Sequence, residues 1–138
     1  ASPVRFLDTR SSGASPFACN LPATPIAADS DNLYNVRTRC TGVPAAARGI
    51  FGNITLINMS VNGFLTMYPD TSLLTKDFSS ATKPVTNRPP VATVNYRTAI
   101  AVQNQTFSIA IGKNGKFWLY NTVGTTLDAI IDIVGYVL

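Results

Sequence analysis

An antiparallel all-β domain, either a β-sandwich or a jelly-roll-like barrel of about eight or nine strands, is predicted by three features of this sequence. Short alternating or continuous apolar runs recur along the chain, separated by turn signals. No segment carries a sustained 3.6-residue apolar period. Charged residues make up only 13% of the chain and Glu is absent, against about a quarter charged in an ordinary soluble domain, so the usual helix-surface residues are scarce. The 138 residues are one domain's length and are read as a single unit, 1–138.

Taken in order, Val4–Asp8 alternates and reads as a first strand. Residues 11–32 read as a loop, with three prolines followed by Asp29-Ser30-Asp31-Asn32. Leu33–Arg39 alternates weakly. Gly49–Val61 has apolar residues of both parities, Phe51, Ile57 and Met59 against Ile50, Ile54 and Leu56, which predicts a central strand covered on both faces. Asn62-Gly63 is a turn signal, and Phe64–Tyr68 reads as the returning strand of a hairpin. Pro69–Pro90 is rich in Ser, Thr and Pro and reads as an unusually long loop. Strands resume at Val91–Tyr96 and Ile100–Gln103. Thr106–Ile111 places Phe107, Ile109 and Ile111 on one face. A type I′ turn at Asn114-Gly115 would set Lys113 opposite Lys116, Ile111 opposite Trp118 and Ile109 opposite Tyr120. Leu127–Leu138 is the last strand.

The net charge of +4 comes from seven Arg and four Lys, scattered rather than clustered. The nearest approach to a patch is Arg37-Thr38-Arg39 with Arg48 beyond it, and no basic run is interleaved with aromatics. A solvated, lightly basic surface is expected, with no nucleic-acid partner. No membrane span is expected: the longest apolar stretch, Ala129–Leu138, is interrupted by Asp132 and is half the required length of about twenty. Cys19 and Cys40 form either a disulfide or two buried thiols. The Pro- and Asp-rich segment between them offers little core, which favours the disulfide, worth about 3 kcal/mol by loop closure. A disulfide implies an oxidising compartment. The start Ala1-Ser2-Pro3, without Met, suits a removed signal peptide, although a chosen chain boundary would look the same. Three N-x-Ser/Thr sequons, at Asn53, Asn58 and Asn104, are weak signals in a chain so rich in Asn and Thr.

No His is present, so the commonest general base and metal ligand is missing. No nucleophile-elbow or phosphate-loop motif occurs. Asp128 and Asp132 share one face of the last strand but stand about 13 Å apart, too far for glycosidase carboxylates. They are expected to accept hydrogen bonds from Arg or backbone, opposite an apolar face of Leu127, Ala129, Ile131 and Ile133. Asp8-Thr9-Arg10 is expected to anchor the first strand to a neighbour. Asp29–Asn32 carries oxygen ligands but lacks the Gly and Glu of an EF-hand loop. Trp118 and Tyr120 share a face and form either a glycan-stacking platform or, more in keeping with a small sandwich, core packing. No cofactor, metal or catalytic residues are expected.

Several short segments match the motifs of one known kind of domain. Arg5-Phe6-Leu7-Asp8-Thr9-Arg10 is similar to its R-L-L-D-T-R opening, and Gly42-Val43-Pro44-Ala45-Ala46-Ala47 to its G-V-P-A-G-A. Asn53-Ile54-Thr55 is similar to L-N-V-T, and Gly63-Phe64-Leu65-Thr66-Met67-Tyr68-Pro69 to G-Y-L-T-V-Y-P. Val94-Asn95-Tyr96 is similar to L-N-Y, Lys116–Asn121 to V-x-L-Y-N, and Ile131-Asp132-Ile133-Val134-Gly135-Tyr136 to V-D-V-V-G-Y. Together these segments resemble a secreted bacterial, actinobacterial-type cell-surface β-domain, which implies a non-catalytic extracellular β-module, often repeated or appended to enzymes, and carries over no ligand residues. The Cys19–Cys40 insert and the long 69–90 stretch depart from the pattern.

Two functions compete. One is a structural or adhesive subunit of a filament, sheath or surface layer, a homo-oligomer or polymer. The other is a carbohydrate- or cell-wall-binding module acting through Trp118 and Tyr120. Extracellular or cell-surface localisation is expected in both. Assembly contacts are expected from the irregular segments, through Phe17, Leu21, Ile26, Leu73, Leu74 and Phe78, whose apolar side chains suit docking on a neighbour.

Overall fold

The computed structural model describes residues 3–10, 19, 24–37, 40–71, 78–81 (backbone only), 88–90, 92–98 and 101–138. Within them lie β1 (Val4–Asp8), β2 (Ser30–Asn35), β3 (Gly49–Ile57), β4 (Gly63–Pro69), β5 (Phe78–Ala81), β6 (Val94–Tyr96), β7 (Val102–Ala110), β8 (Lys116–Asn121) and β9 (Asp128–Val137). They form a four-stranded sheet, β1-β9-β3-β7, and a five-stranded sheet, β5-β2-β8-β4-β6. Every pairing is antiparallel. The fold is therefore a two-sheet sandwich, and the sheets do not close into a barrel.

Alternation sets the core. Leu127, Ala129, Ile131 and Ile133 all face inward, as their spacing requires, and meet Ile50, Ile54 and Leu56 of β3. Phe6 joins the two sheets by meeting Tyr34 edge-on at 6.1 Å and Phe117 at 6.1 Å. A bulge leaves Phe6 without a partner between the Arg5–Asp132 and Leu7–Ile131 pairs, so the consecutive residues Phe6 and Leu7 are both buried. Gly52 sits at a second bulge, where a Cβ would lie 2.0 Å from the Asp132 carbonyl oxygen. Only glycine lets β9 approach β3 there.

The polar ends of β1 are bound as expected. Thr9 donates its amide to the Ala129 carbonyl and its hydroxyl to Asp128 Oδ1, and accepts the Ala129 amide. Arg10 pairs with Asp8 at 2.6 Å and holds that carboxyl below its ordinary value, chiefly through a side-chain hydrogen bond. Arg5 pairs with Asp132 directly across the ladder.

The chain path departs from expectation at both Asn-Gly pairs. Neither closes a hairpin, because β3 and β4 belong to different sheets, as do β7 and β8. A type I′ turn needs two positive φ values. Neither Asn62 nor Gly63 has one, and at the second site only Gly115 does, at +77°. There the Gly115 amide bonds the Gly112 carbonyl, and the strand crosses to the opposite sheet. Ile109 thus pairs with Ile50, while Trp118 pairs with Leu33 and Tyr68.

Four further readings change. Asp29–Asn32 is not loop throughout, since β2 begins at Ser30. The 69–90 stretch contains β5, which adds to the edge of β2. The runs at 100–103 and 106–111 belong largely to one strand, β7. β3 is central but covered on one face only, with Phe51 39% exposed on the other.

Cys19 and Cys40 form a disulfide, with Cα atoms 5.7 Å apart. It joins the segment after β1 to the one after β2, and Cys19 packs on the core. Reduction should lower the unfolding free energy by about 3 kcal/mol. Denaturant titrations with and without reductant measure this, and coincident curves would contradict it.

Candidate functional site

β8 buries side chains on both faces. Phe117 and Leu119 enter the inter-sheet core, while Trp118 and Tyr120 point outward into a separate cluster with Leu33, Tyr68 and Phe64. Strand register builds this cluster in rows. Leu33, Trp118 and Tyr68 lie side by side across β2, β8 and β4, and Asp31, Tyr120 and Thr66 form the next row. Tyr68 and Trp118 stack with centroids 6.4 Å apart and planes 16° apart. Phe64 tilts against Tyr120 at 6.1 Å.

Each polar ring tip meets an aspartate. Tyr68 donates its hydroxyl to Asp31 Oδ1 at 2.7 Å. Trp118 Nε1 donates to Asp70 Oδ1 at 3.1 Å. Tyr120 donates to Asp29 Oδ1 at 3.1 Å. Buried aromatic donors need such partners, and these short carboxylates provide them. Arg88 completes the arrangement: its guanidinium carbon lies 3.3 Å from the Tyr120 ring centroid, and Nη1 stands 3.7 Å from Asp31 Oδ2.

Beside this cluster lies a cavity of about 590 Å³, lined by Phe64, Thr66, Arg88, Pro89, Pro90, Ala92 and Tyr120. Its walls are rings, prolines and one guanidinium, a lining that suits a neutral or anionic ring compound. Trp118 and Tyr120 are brought together as expected, and both are buried as packing residues in a hydrophobic cluster. They lie outside the inter-sheet core, and they are only 4% and 8% exposed. Arg88 occupies one face of Tyr120. Sequence spacing showed their shared face, but nothing local to 116–121 showed that Arg88 would cover it.

The other singled-out residues are dispersed. Asp132 is held by Arg5, and Asp128 accepts from Thr9 and from Asn58 at 2.7 Å. In the Asp29–Asn32 run the oxygens are engaged by Tyr120, Tyr68 and local hydrogen bonds, and no group of three potential metal ligands occurs among the described residues. Ile26 is buried at 2% in its own core, bridged to Leu127, so it is not presented to a neighbour. Phe17, Leu21, Leu73 and Leu74 lie outside the described residues, as does the side chain of Phe78. No helix among the described residues is long and apolar enough to cross a membrane.

The buried phenols respond to alkali. Burial raises Tyr34 and Tyr68 well above the ordinary tyrosine value, Tyr68 further through its bond to Asp31. Burial pushes Tyr96 up to about 12. The native state therefore keeps these protons while an unfolded chain loses them near pH 10. Stability should be unaffected by these groups below about pH 10 and fall above it. In an alkaline titration, tyrosinate absorbance from these three should appear together with loss of the β circular dichroism signal. Reversible ionisation of all three near pH 10 with the fold intact would contradict their burial.

Comparison of the chain with protein-family models, with curated proteins and with solved structures finds no match in any of the three.

Proposed function

We propose that this chain is a non-catalytic, extracellular structural or adhesive module that assembles with copies of itself by strand addition at β7, as a filament, sheath or surface-layer subunit does. The observation that carries this reading is the character of that edge. β7 is nine residues long, pairs with β3 through nine consecutive residues without a bulge, and has no second strand partner among the described residues. Its sequence, Val-Gln-Asn-Gln-Thr-Phe-Ser-Ile-Ala, contains no charge and no proline.

Sandwich proteins usually protect such edges by shortness, charge, proline or bulges. The other edges here fit that rule. β5 has four residues and β6 three, while β1 carries Arg5, Asp8 and a bulge. Among the described residues, β7 is met laterally: Gln103 and Gln105 donate to the carbonyls of Asn95 in β6 and Thr93 just before it, and Gln103 accepts the Arg97 amide. A long, flat, uncharged edge is a template for another strand. The disulfide and the resemblance of the Arg5–Arg10 and Ile131–Tyr136 segments to a secreted β-domain support an extracellular setting. The cavity between Phe64, Tyr120 and Pro89-Pro90 favours a second reading, a carbohydrate- or cell-wall-binding module.

Size-exclusion chromatography with electron microscopy tests the first reading. The wild type should form concentration-dependent oligomers or fibres. Replacing Asn104 and Ser108, both exposed on β7, by Lys should leave a monomer whose stability changes by no more than about 0.5 kcal/mol per site. A wild type that stays monomeric at all concentrations, or a variant that assembles equally well, contradicts the reading. Capture of cell-wall glycan by such a monomer would favour the second.

A further inference from the structure

A second cavity, of about 550 Å³, opens between the 44–48 loop and the 112–115 turn, and is lined by Arg37, Ala45, Ala46, Ala47, Arg48, Ile111, Gly112 and Lys113. Three of its residues are cationic and none is acidic. None of the three forms an ion pair with a carboxylate among the described residues. The carboxylate of Asp70, whose backbone lies against Gly112, is engaged by Trp118 Nε1 and Asn114 Nδ2.

The fold holds Arg37 in place. Its Nη1 donates to the Lys113 carbonyl at 2.6 Å and its Nη2 to the Ala47 carbonyl at 3.3 Å, so one guanidinium bridges both walls. Its stem lies over Gly115, where a Cβ would come within 2.4 Å of Arg37 Cδ. The walls are joined again by the Ile111 amide on the Arg48 carbonyl, and the Val36 amide on the Gly115 carbonyl fixes the chain before Arg37 against the turn. Arg37 Nε is buried without a hydrogen-bond partner. Carbonyl acceptors satisfy donors but do not neutralise the charge. Arg48 and Lys113, both exposed, add two further positive charges at the rim.

We propose that this cavity is a binding site for a dianionic phosphoryl group. Three formal positive charges, with no acidic counterpart in the lining among the described residues, match a dianion better than a single carboxylate. The two rim side chains are long and flexible enough to close on its oxygens. The apolar floor of Ala47 and Ile111 leaves room for whatever carries the phosphate. This site stands independently of the assembly edge on β7.

The test is a titration of the purified chain with inorganic phosphate at low ionic strength, followed by amide chemical shifts. Saturable shifts at 45–48 and 112–115 are expected, with sulfate competing and acetate failing to compete. Arg48→Gln and Lys113→Gln should each weaken binding about tenfold, the loss of one charge-assisted contact. Arg97→Gln, exposed elsewhere, should leave it unchanged. The proposal is overturned if shifts do not saturate by about 10 mM. It is equally overturned if acetate competes as well as sulfate, or if Arg97→Gln weakens binding as much as the rim variants. Thermal midpoints of the variants separate loss of the site from loss of the fold.

Discussion

The burial of β8 on both faces is the constraint on which the rest of the structure depends. All six of its residues are buried. It is the middle strand of its sheet, paired with β2 on one side and β4 on the other. Phe117 and Leu119 hold the inter-sheet core while Trp118 and Tyr120 hold the outer cluster, so one strand organises two hydrophobic clusters. Its ends are bound as well. The Lys116 carbonyl accepts the amides of Asp70 and Gly112. Asn121 accepts the Tyr96 hydroxyl and donates to the carbonyls of Ala27 and Thr125. Moving β8 by one residue would exchange its two apolar faces and break every one of these bonds.

The same constraint distributes the polar chemistry. With rings on the outer faces of β8 and its neighbour β4, acceptors are needed where strands usually meet water, and Asp29, Asp31 and Asp70 supply them. Three of the seven acids are thus committed to aromatic donors, and Asp8, Asp128 and Asp132 to fastening β1 and β9. Among the described residues, no carboxylate is left over to balance the cations beside the β7–β8 crossing. That imbalance leaves Arg37, Arg48 and Lys113 lining one cavity with no carboxylate in its lining among the described residues. Both sheets are fastened by these side chains, and the four-stranded sheet ends at β7, which has no second strand partner among the described residues.

What was legible in the sequence was local. The alternation of β9, the anchoring role of Asp8-Thr9-Arg10 and the shared face of Trp118 and Tyr120 follow from spacing alone. The Cys19–Cys40 bond followed from the poverty of the segment it closes. What was not legible was which sheet each strand joins. Asn62-Gly63 and Asn114-Gly115 have hairpin chemistry, yet sheet choice is decided by faces far apart in sequence, and burial of Phe117 and Leu119 against Phe6 and Ile131 outweighs a two-residue preference. β5, Phe-Ser-Ser-Ala, has no alternation to read and exists only because β2 offers it an edge. The basic cavity was hidden for the same reason: Arg37 and Lys113 are 76 residues apart and meet only through the crossing.

Native-state hydrogen exchange, resolved by residue in dilute protein, tests the central role of β8 most directly. The account predicts that the amides of Phe117–Tyr120 exchange last, only through global unfolding, while the outward amides of β7 exchange early. Exchange of the β8 amides as early as those of β7, with the fold otherwise intact, would contradict it.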